Sequence, residues 1–109
     1  MSFSVKLTPE FNRNSKRLSK KYRSLPSELN TLVQALREQP QMGKPLGNSC
    51  YKIRLAIASK GQGKSGGARV ITYVQVVGET LFLLAIYDKS EQASISDREV
   101  QALLAGLEE

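Results

Sequence analysis

At 109 residues and 40% hydrophobic content the chain is the size of one domain with a single small core, and no stretch is long enough to act as a linker, so one domain over residues 1–109 is expected. A lone cysteine, Cys50, and the absence of histidine exclude an internal disulfide and the usual zinc and serine-hydrolase constellations. The net charge of +6 is unevenly spread: residues 39–78 hold no Asp or Glu but carry Lys44, Lys52, Arg54, Lys60, Lys64 and Arg69, whereas seven of the ten acids follow Gly78. That asymmetry is the footprint of a surface that meets a polyanion, because each neutralised phosphate releases counterions.

In chain order, Phe3 to Leu7 alternates as a half-buried strand does. Thr8 and Pro9 then read as the cap and first turn of a helix running to about Tyr22, with Phe11, Leu18 and Tyr22 as a thin apolar stripe on an otherwise basic surface. Pro26 opens a second helix with Leu29, Leu32, Val33 and Leu36 on one face, and Pro40 stops it. Two glycines and a proline make residues 41–50 a loop by composition. Cys50 reads as a small residue at a strand start. Tyr51 to Ala58 alternates again, setting Tyr51, Ile53, Leu55 and Ile57 against Lys52, Arg54 and Ala56, so that two cations share one strand face.

Ala68 to Val77 is β-branched, with Arg69, Ile71, Tyr73 and Gln75 on one face; Gly78-Glu79 suits a two-residue hairpin turn. Thr80 to Tyr87 is apolar on both faces and should be a well-covered strand. Ser96-Asp97-Arg98-Glu99 is a capping box, opening a last helix with Val100, Leu103, Leu104 and Leu107 on one side. The longest apolar run, Thr80 to Ile86, falls far short of the roughly 20 residues that cross a bilayer, and the opening residues lack the pattern of an export signal. A soluble, cytoplasmic protein without a membrane partner is expected.

The segment KGQGKSGGARV, residues 60–70, packs four glycines and three cations between two strands. Gly63-Lys64-Ser65 imitates the end of a nucleotide-binding Walker loop, but Ala58 stands where that motif needs its first glycine. The β-branched residues that follow supply no helix N-terminus for a triphosphate. Glycines that let the backbone approach a ligand closely, beside lysines that hold phosphates, suit RNA or ribosome contact better.

The basic helical hairpin, YKIRLAI leading into a loop, GGARVITYVQV, and LFLLAIYDKSE before a short last helix together resemble the RelE/ParE toxin superfamily, most of all its RelE and HigB-type mRNA interferases, over residues 3–107. The resemblance implies an α+β fold in the order β-α-α-β-β-β-α: a twisted, mainly antiparallel sheet with a helical hairpin on one face and a short C-terminal helix. It also implies a toxin of a type II toxin-antitoxin system that cuts mRNA in the ribosomal A site and is neutralised by an antitoxin encoded next door. Ribosome, mRNA and antitoxin are thus the expected partners, and neither cofactor nor metal is called for.

RNA cleavage through its own 2′-hydroxyl requires removal of one proton, delivery of another, and compensation of charge building on the phosphate. Arg69 has the guanidinium fork for two phosphate oxygens and, by resemblance, lies where the family keeps a catalytic arginine. Lys52 falls on the family's strand lysine, and crowding by Arg54, Arg69 and Lys89 would help it surrender a proton. Tyr87 is a candidate for stacking or hydrogen bonding, together with Asp88. The expected catalytic set is Lys52, Arg54, Arg69, Tyr87 and Lys89; the expected RNA or ribosome contacts are Lys16, Arg17, Lys20, Lys21, Lys60 and Lys64.

Three positions depart from the RelE pattern: Arg54 replaces a lysine and cannot serve as a base, Ser90 replaces an arginine, and Ser96 falls where a base-stacking tyrosine is expected. Two other readings remain: a ParE-like toxin acting on DNA gyrase, and a non-catalytic nucleic-acid-binding module. Convergent cations at residues 52, 54 and 69 speak for the nuclease over the former. The scarcity of aromatics for stacking speaks against the latter.

Overall fold

The computed structural model of the chain describes residues 2–108. Its elements are β1 (Ser4–Leu7), α1 (Pro9–Lys21), α2 (Leu25–Glu38), β2 (Lys44–Gly47), β3 (Cys50–Leu55), β4 (Ala68–Gln75), β5 (Thr80–Asp88) and α3 (Asp97–Ala105), with single 3-10 turns at Ala58–Lys60 and Gly106–Glu108. The five strands form one sheet in the order β1-β5-β4-β3-β2. β1 runs parallel to β5 and every other pair is antiparallel, giving the expected α+β fold.

Local chemistry sets the helix starts. Thr8 accepts a hydrogen bond from the Phe11 amide at 3.2 Å, and Pro9 occupies a first-turn position where a missing N–H costs nothing. The same Thr8 hydroxyl donates to the Leu83 carbonyl at 2.9 Å, which ties the start of α1 to β5. It does so at a bulge: Ile71 pairs with Ala85 and Thr72 with Leu83, so Leu84 is the extra residue. At α3 the capping box is complete, with Ser96 accepting from the Glu99 amide and the Glu99 carboxylate accepting from the Ser96 amide.

Two apolar layers flank the sheet. On one face Phe11, Leu18, Leu25, Leu32 and Leu36 of the hairpin pack on Ile53, Val70, Leu83 and Ile86, each side chain worth about 1.5–3 kcal/mol on burial. The other face carries Cys50, Ile71, Leu84, Ala85 and Tyr87 under Val100 of α3, with Leu103, Leu104 and Leu107 half-covered. Only Val100 of α3 is fully buried, so that helix is the more lightly attached. Among the described residues no helix is long and apolar enough to cross a membrane.

The sequence-based expectations fail at two turns. Residues 41–50 are not simply a loop: Lys44–Gly47 form an edge strand joined to β3 through Asn48 and Ser49, whose φ values of 54° and 62° are both left-handed, as a tight two-residue hairpin requires. Pro45 hid the strand, but an edge tolerates a residue without an amide donor. The β4–β5 turn also begins earlier than Gly78-Glu79. It spans residues 76–79, closed by the Glu79 amide donating to the Val76 carbonyl at 3.0 Å, with Gly78 third and left-handed at φ 92°. Val76 and Val77 are left exposed at its tip.

Candidate active site

Strand register assembles the expected catalytic residues. Arg54 pairs directly with Arg69 across β3 and β4, and Arg69 with Tyr87 across β4 and β5. Direct partners in an antiparallel sheet point to the same side, so the three form one row across the face that carries α3. Lys52 lies one row along, opposite Ile71 and Ala85. Lys89 follows just past β5, its amide donating to the Gly67 carbonyl at 3.0 Å and its ammonium to the Ala93 carbonyl at 2.8 Å.

The members of the row differ in exposure. Arg54 is exposed and Lys52 half-buried, whereas Arg69 is 6% exposed. Its guanidinium donates to the carbonyls of Lys64 at 2.9 Å, Ala68 at 3.1 Å and Ser65 at 3.4 Å. Three neutral acceptors thus meet a charge that has no carboxylate partner among the described ion pairs. The glycine-rich loop wraps the arginine rather than standing apart from it, a contact that spacing along the chain does not reveal.

Tyr87 is buried, and its hydroxyl has no hydrogen-bond partner among the described residues. Burial pushes the phenol up from its ordinary value; the Arg69 charge opposes this and Glu99 reinforces it. The group therefore keeps its proton at neutral pH and is fitted to donate. Beyond Tyr87 an open groove of about 380 Å³ separates α1, β5 and α3, but Glu10 and Glu99 on its rim would repel a phosphate. The electropositive path lies on the other side, over Arg69 and Arg54.

Asp88 does not join this site. Strand alternation turns it to the opposite face, where it is fully buried and accepts from the Tyr22 hydroxyl at 2.6 Å, the Lys60 ammonium at 2.6 Å, and the Ser90 amide and hydroxyl at 2.9 and 2.7 Å. Burial alone would push this carboxyl up; the hydrogen bonds from Lys60, Tyr22 and Ser90 outweigh it and hold the group well below the usual carboxylate range. Lys60, with 8% of its side chain exposed, is committed to this pair, and its ammonium also lies 5.5 Å from the Tyr22 ring centre. The pairing is legible afterwards in one signal: Asp88 is the first acid after eight residues of strand that carry no charge.

The cations of α1 belong to this second layer as well. Arg17 and Lys21 bind Glu91 at 3.1 and 3.2 Å, which holds that carboxylate below its ordinary range, while Lys16 and Lys20 stay exposed. None of the four lies in the row of Arg54, Arg69 and Tyr87. Lys64 does come near it, lining a groove at the outer edge of β3 together with Arg54. Among the described residues no group of His, Cys, Asp and Glu converges as a metal site would.

This sheet order, with a helical hairpin on one face and a cationic row on the other, is the architecture of a RelE-type toxin. The family model for the RelE toxin of the RelE/RelB toxin-antitoxin system matches residues 11–106, and the chain belongs to that family. Its fold is similar to that of the isolated Escherichia coli RelE toxin, with a TM-score of 0.61 at 19% identity over 95% of this chain and 98% of that one. A double arginine-to-alanine mutant of E. coli RelE in the free state gives a TM-score of 0.62 at 18% identity, over 85% of this chain and 90% of that one. The RelBE2 toxin-antitoxin complex of Mycobacterium tuberculosis gives 0.59 at 17% identity, over 81% and 99%.

Proposed function

We propose that the protein is a ribosome-dependent endoribonuclease that cuts mRNA in the A site and so arrests translation. The observation that supports this most is the alignment of Arg54, Arg69 and Tyr87 side by side on three adjacent strands, with Lys52 one row away. In the reaction the 2′-oxygen attacks the adjacent phosphorus and the bond from phosphorus to the 5′-oxygen breaks, leaving a cyclic phosphate and a free 5′-hydroxyl. Arg69 and Arg54 offset the charge gathering on the phosphate oxygens. Arg54 cannot take a proton, and Tyr87 holds its own, so Lys52 is assigned to the 2′-proton. Tyr87, with its unpartnered hydroxyl, and Lys89 are assigned to the leaving oxygen.

A cognate antitoxin is part of the same reading. It is supported by the family's definition as one half of a toxin-antitoxin pair and by the intact E. coli RelBE complex, whose fold match to this chain has a TM-score of 0.60 at 18% identity. A cytoplasmic site of action follows, since ribosomes are there.

Primer extension on a reporter mRNA after brief induction tests the proposal, with Arg69→Ala and a start-codon deletion in parallel. Cuts inside the reading frame that vanish with either change are expected. Intact mRNA in growth-arrested cells would refute ribonuclease action and shift the target to gyrase.

A further inference from the structure

The glycine-rich loop has two fixed ends and one clasp. Its entry, the 3-10 turn at Ala58–Lys60, is fastened to α2: the Ala58 amide donates to the Glu28 carboxylate at 2.6 Å, the Ser59 amide to the Ser24 hydroxyl at 2.9 Å, and Lys60 is held by Asp88. Its exit is pinned at Gly67, whose carbonyl takes the Lys89 amide and where an added Cβ would meet the Leu55 carbonyl oxygen at 2.1 Å. Between them the tip, residues 61–66, holds three glycines, two of them left-handed with φ values of 76° and 63° at Gly61 and Gly63. Among the described residues, residues 62–66 are attached to the body of the protein by the bonds from Arg69 to the Lys64 and Ser65 carbonyls and by a longer one, 3.4 Å, from the Gly67 amide to the Lys64 carbonyl.

The chemistry of that clasp is exchangeable. Carbonyl oxygens satisfy guanidinium donors but do not neutralise the charge; a phosphodiester offers two charged acceptors in matching geometry, and charge-assisted bonds are roughly twice as strong as neutral ones. The backbone amides of the tip lose little when released, since the segment is exposed from Gly61 to Ser65 and water replaces their partners.

We propose that residues 61–66 are a lid which occupies Arg69 in the free protein and is displaced by a backbone phosphate of single-stranded RNA. The free toxin thereby keeps its main phosphate ligand covered until a polyanion competes for it. Opening also frees the Lys64 segment, already beside Arg54, to close over the bound strand. The inference rests on the reading of Arg69 as a phosphate ligand.

The test is backbone ¹⁵N relaxation of the loop amides in the full chain, with a 2′-O-methyl oligoribonucleotide that cannot cleave itself as the probe. In the free protein, order parameters for residues 61–66 are expected in the rigid range near about 0.85. They should fall below about 0.6 both in Arg69→Gln without ligand and in the wild type saturated with the oligonucleotide. Arg69→Lys, which keeps a cation but cannot reach three carbonyls, should behave as Arg69→Gln and serves if the latter does not fold. Ser65→Ala should leave the loop rigid, because the clasp uses its carbonyl and not its hydroxyl. A loop as rigid in the arginine variants as in the wild type overturns the clasp. A loop that stays rigid while the oligonucleotide shifts the Lys52 and Arg54 resonances overturns the displacement, and an oligonucleotide that shifts neither overturns single-stranded RNA as what opens the lid. Loop release as expected, beside an mRNA that stays intact in cells, would preserve the lid and refute only the cleavage.

Discussion

Arg54 and Arg69 stand directly opposite each other across the antiparallel β3–β4 pair, one exposed and the other turned into the carbonyls of the glycine-rich loop. Like charges at facing positions of a sheet are unfavourable by roughly 0.2–1 kcal/mol, and no carboxylate among the described ion pairs relieves them. The fold tolerates this repulsion where a phosphate would remove it.

Arg54→Thr is accordingly expected to stabilise the protein by up to about 1 kcal/mol in urea unfolding, since threonine suits a strand and the repulsion disappears. The same change should reduce mRNA cleavage at least about tenfold, the loss of one charge-assisted phosphate contact of about 1.5–3 kcal/mol. A variant that is both less stable and fully active would show that the pair is structural.

Tyr87→Phe removes a buried hydroxyl that has no partner among the described residues. Stability should stay level or rise by about 1 kcal/mol, because an unsatisfied polar group is being deleted. Cleavage should drop while the fold is intact, which near-ultraviolet circular dichroism and primer extension on the same preparation would establish.

The Lys60 and Asp88 pair predicts the opposite balance. Asp88→Asn leaves a nearly buried ammonium without its counter-charge and should cost about 3 kcal/mol at neutral pH. Because the carboxyl is held below its ordinary 3.8, its contribution is present above that value and is lost as pH falls through the lower, folded range. An acid titration of stability should therefore steepen below about pH 4 in the wild type and be flatter in Asp88→Asn.

Gly67→Ala brings a methyl against the Leu55 backbone carbonyl, an atom that cannot swing aside as a side chain would. Overpacking at such a place should cost about 3 kcal/mol, visible as a lowered denaturation midpoint.

Much of this was readable from the chain because the signals were periodic. Alternation at Tyr51 to Leu55 put Lys52 and Arg54 on one face, and the Ser96 to Glu99 capping box marked the start of α3. What escaped was carried by backbone geometry or by contacts distant in sequence. The Asn48-Ser49 turn lacks the glycine that usually announces such a hairpin, and the extra residue at Leu84 has no compositional mark. Lys60 looked free for RNA because its partner lies 28 residues away, and Asp88 looked like a neighbour of Tyr87 although adjacent strand residues face opposite sides. The hold of Arg69 on the loop is short-range in sequence, yet it depends on carbonyl directions that residue types do not encode.

The parallel pairing of Ser4 with Thr80 has a temporal meaning. β3, β4 and β5 are joined by local hairpins, whereas β1 must wait for a strand that leaves the ribosome some 76 residues later, at about 5–20 residues per second. Thr8, which caps α1, also needs the Leu83 carbonyl, so the start of the hairpin and the edge of the sheet settle in one late step. During its own synthesis the nascent chain carries the cationic strands before it has the scaffold to aim them, and the row of Arg54, Arg69 and Tyr87 is complete only once the last third has emerged.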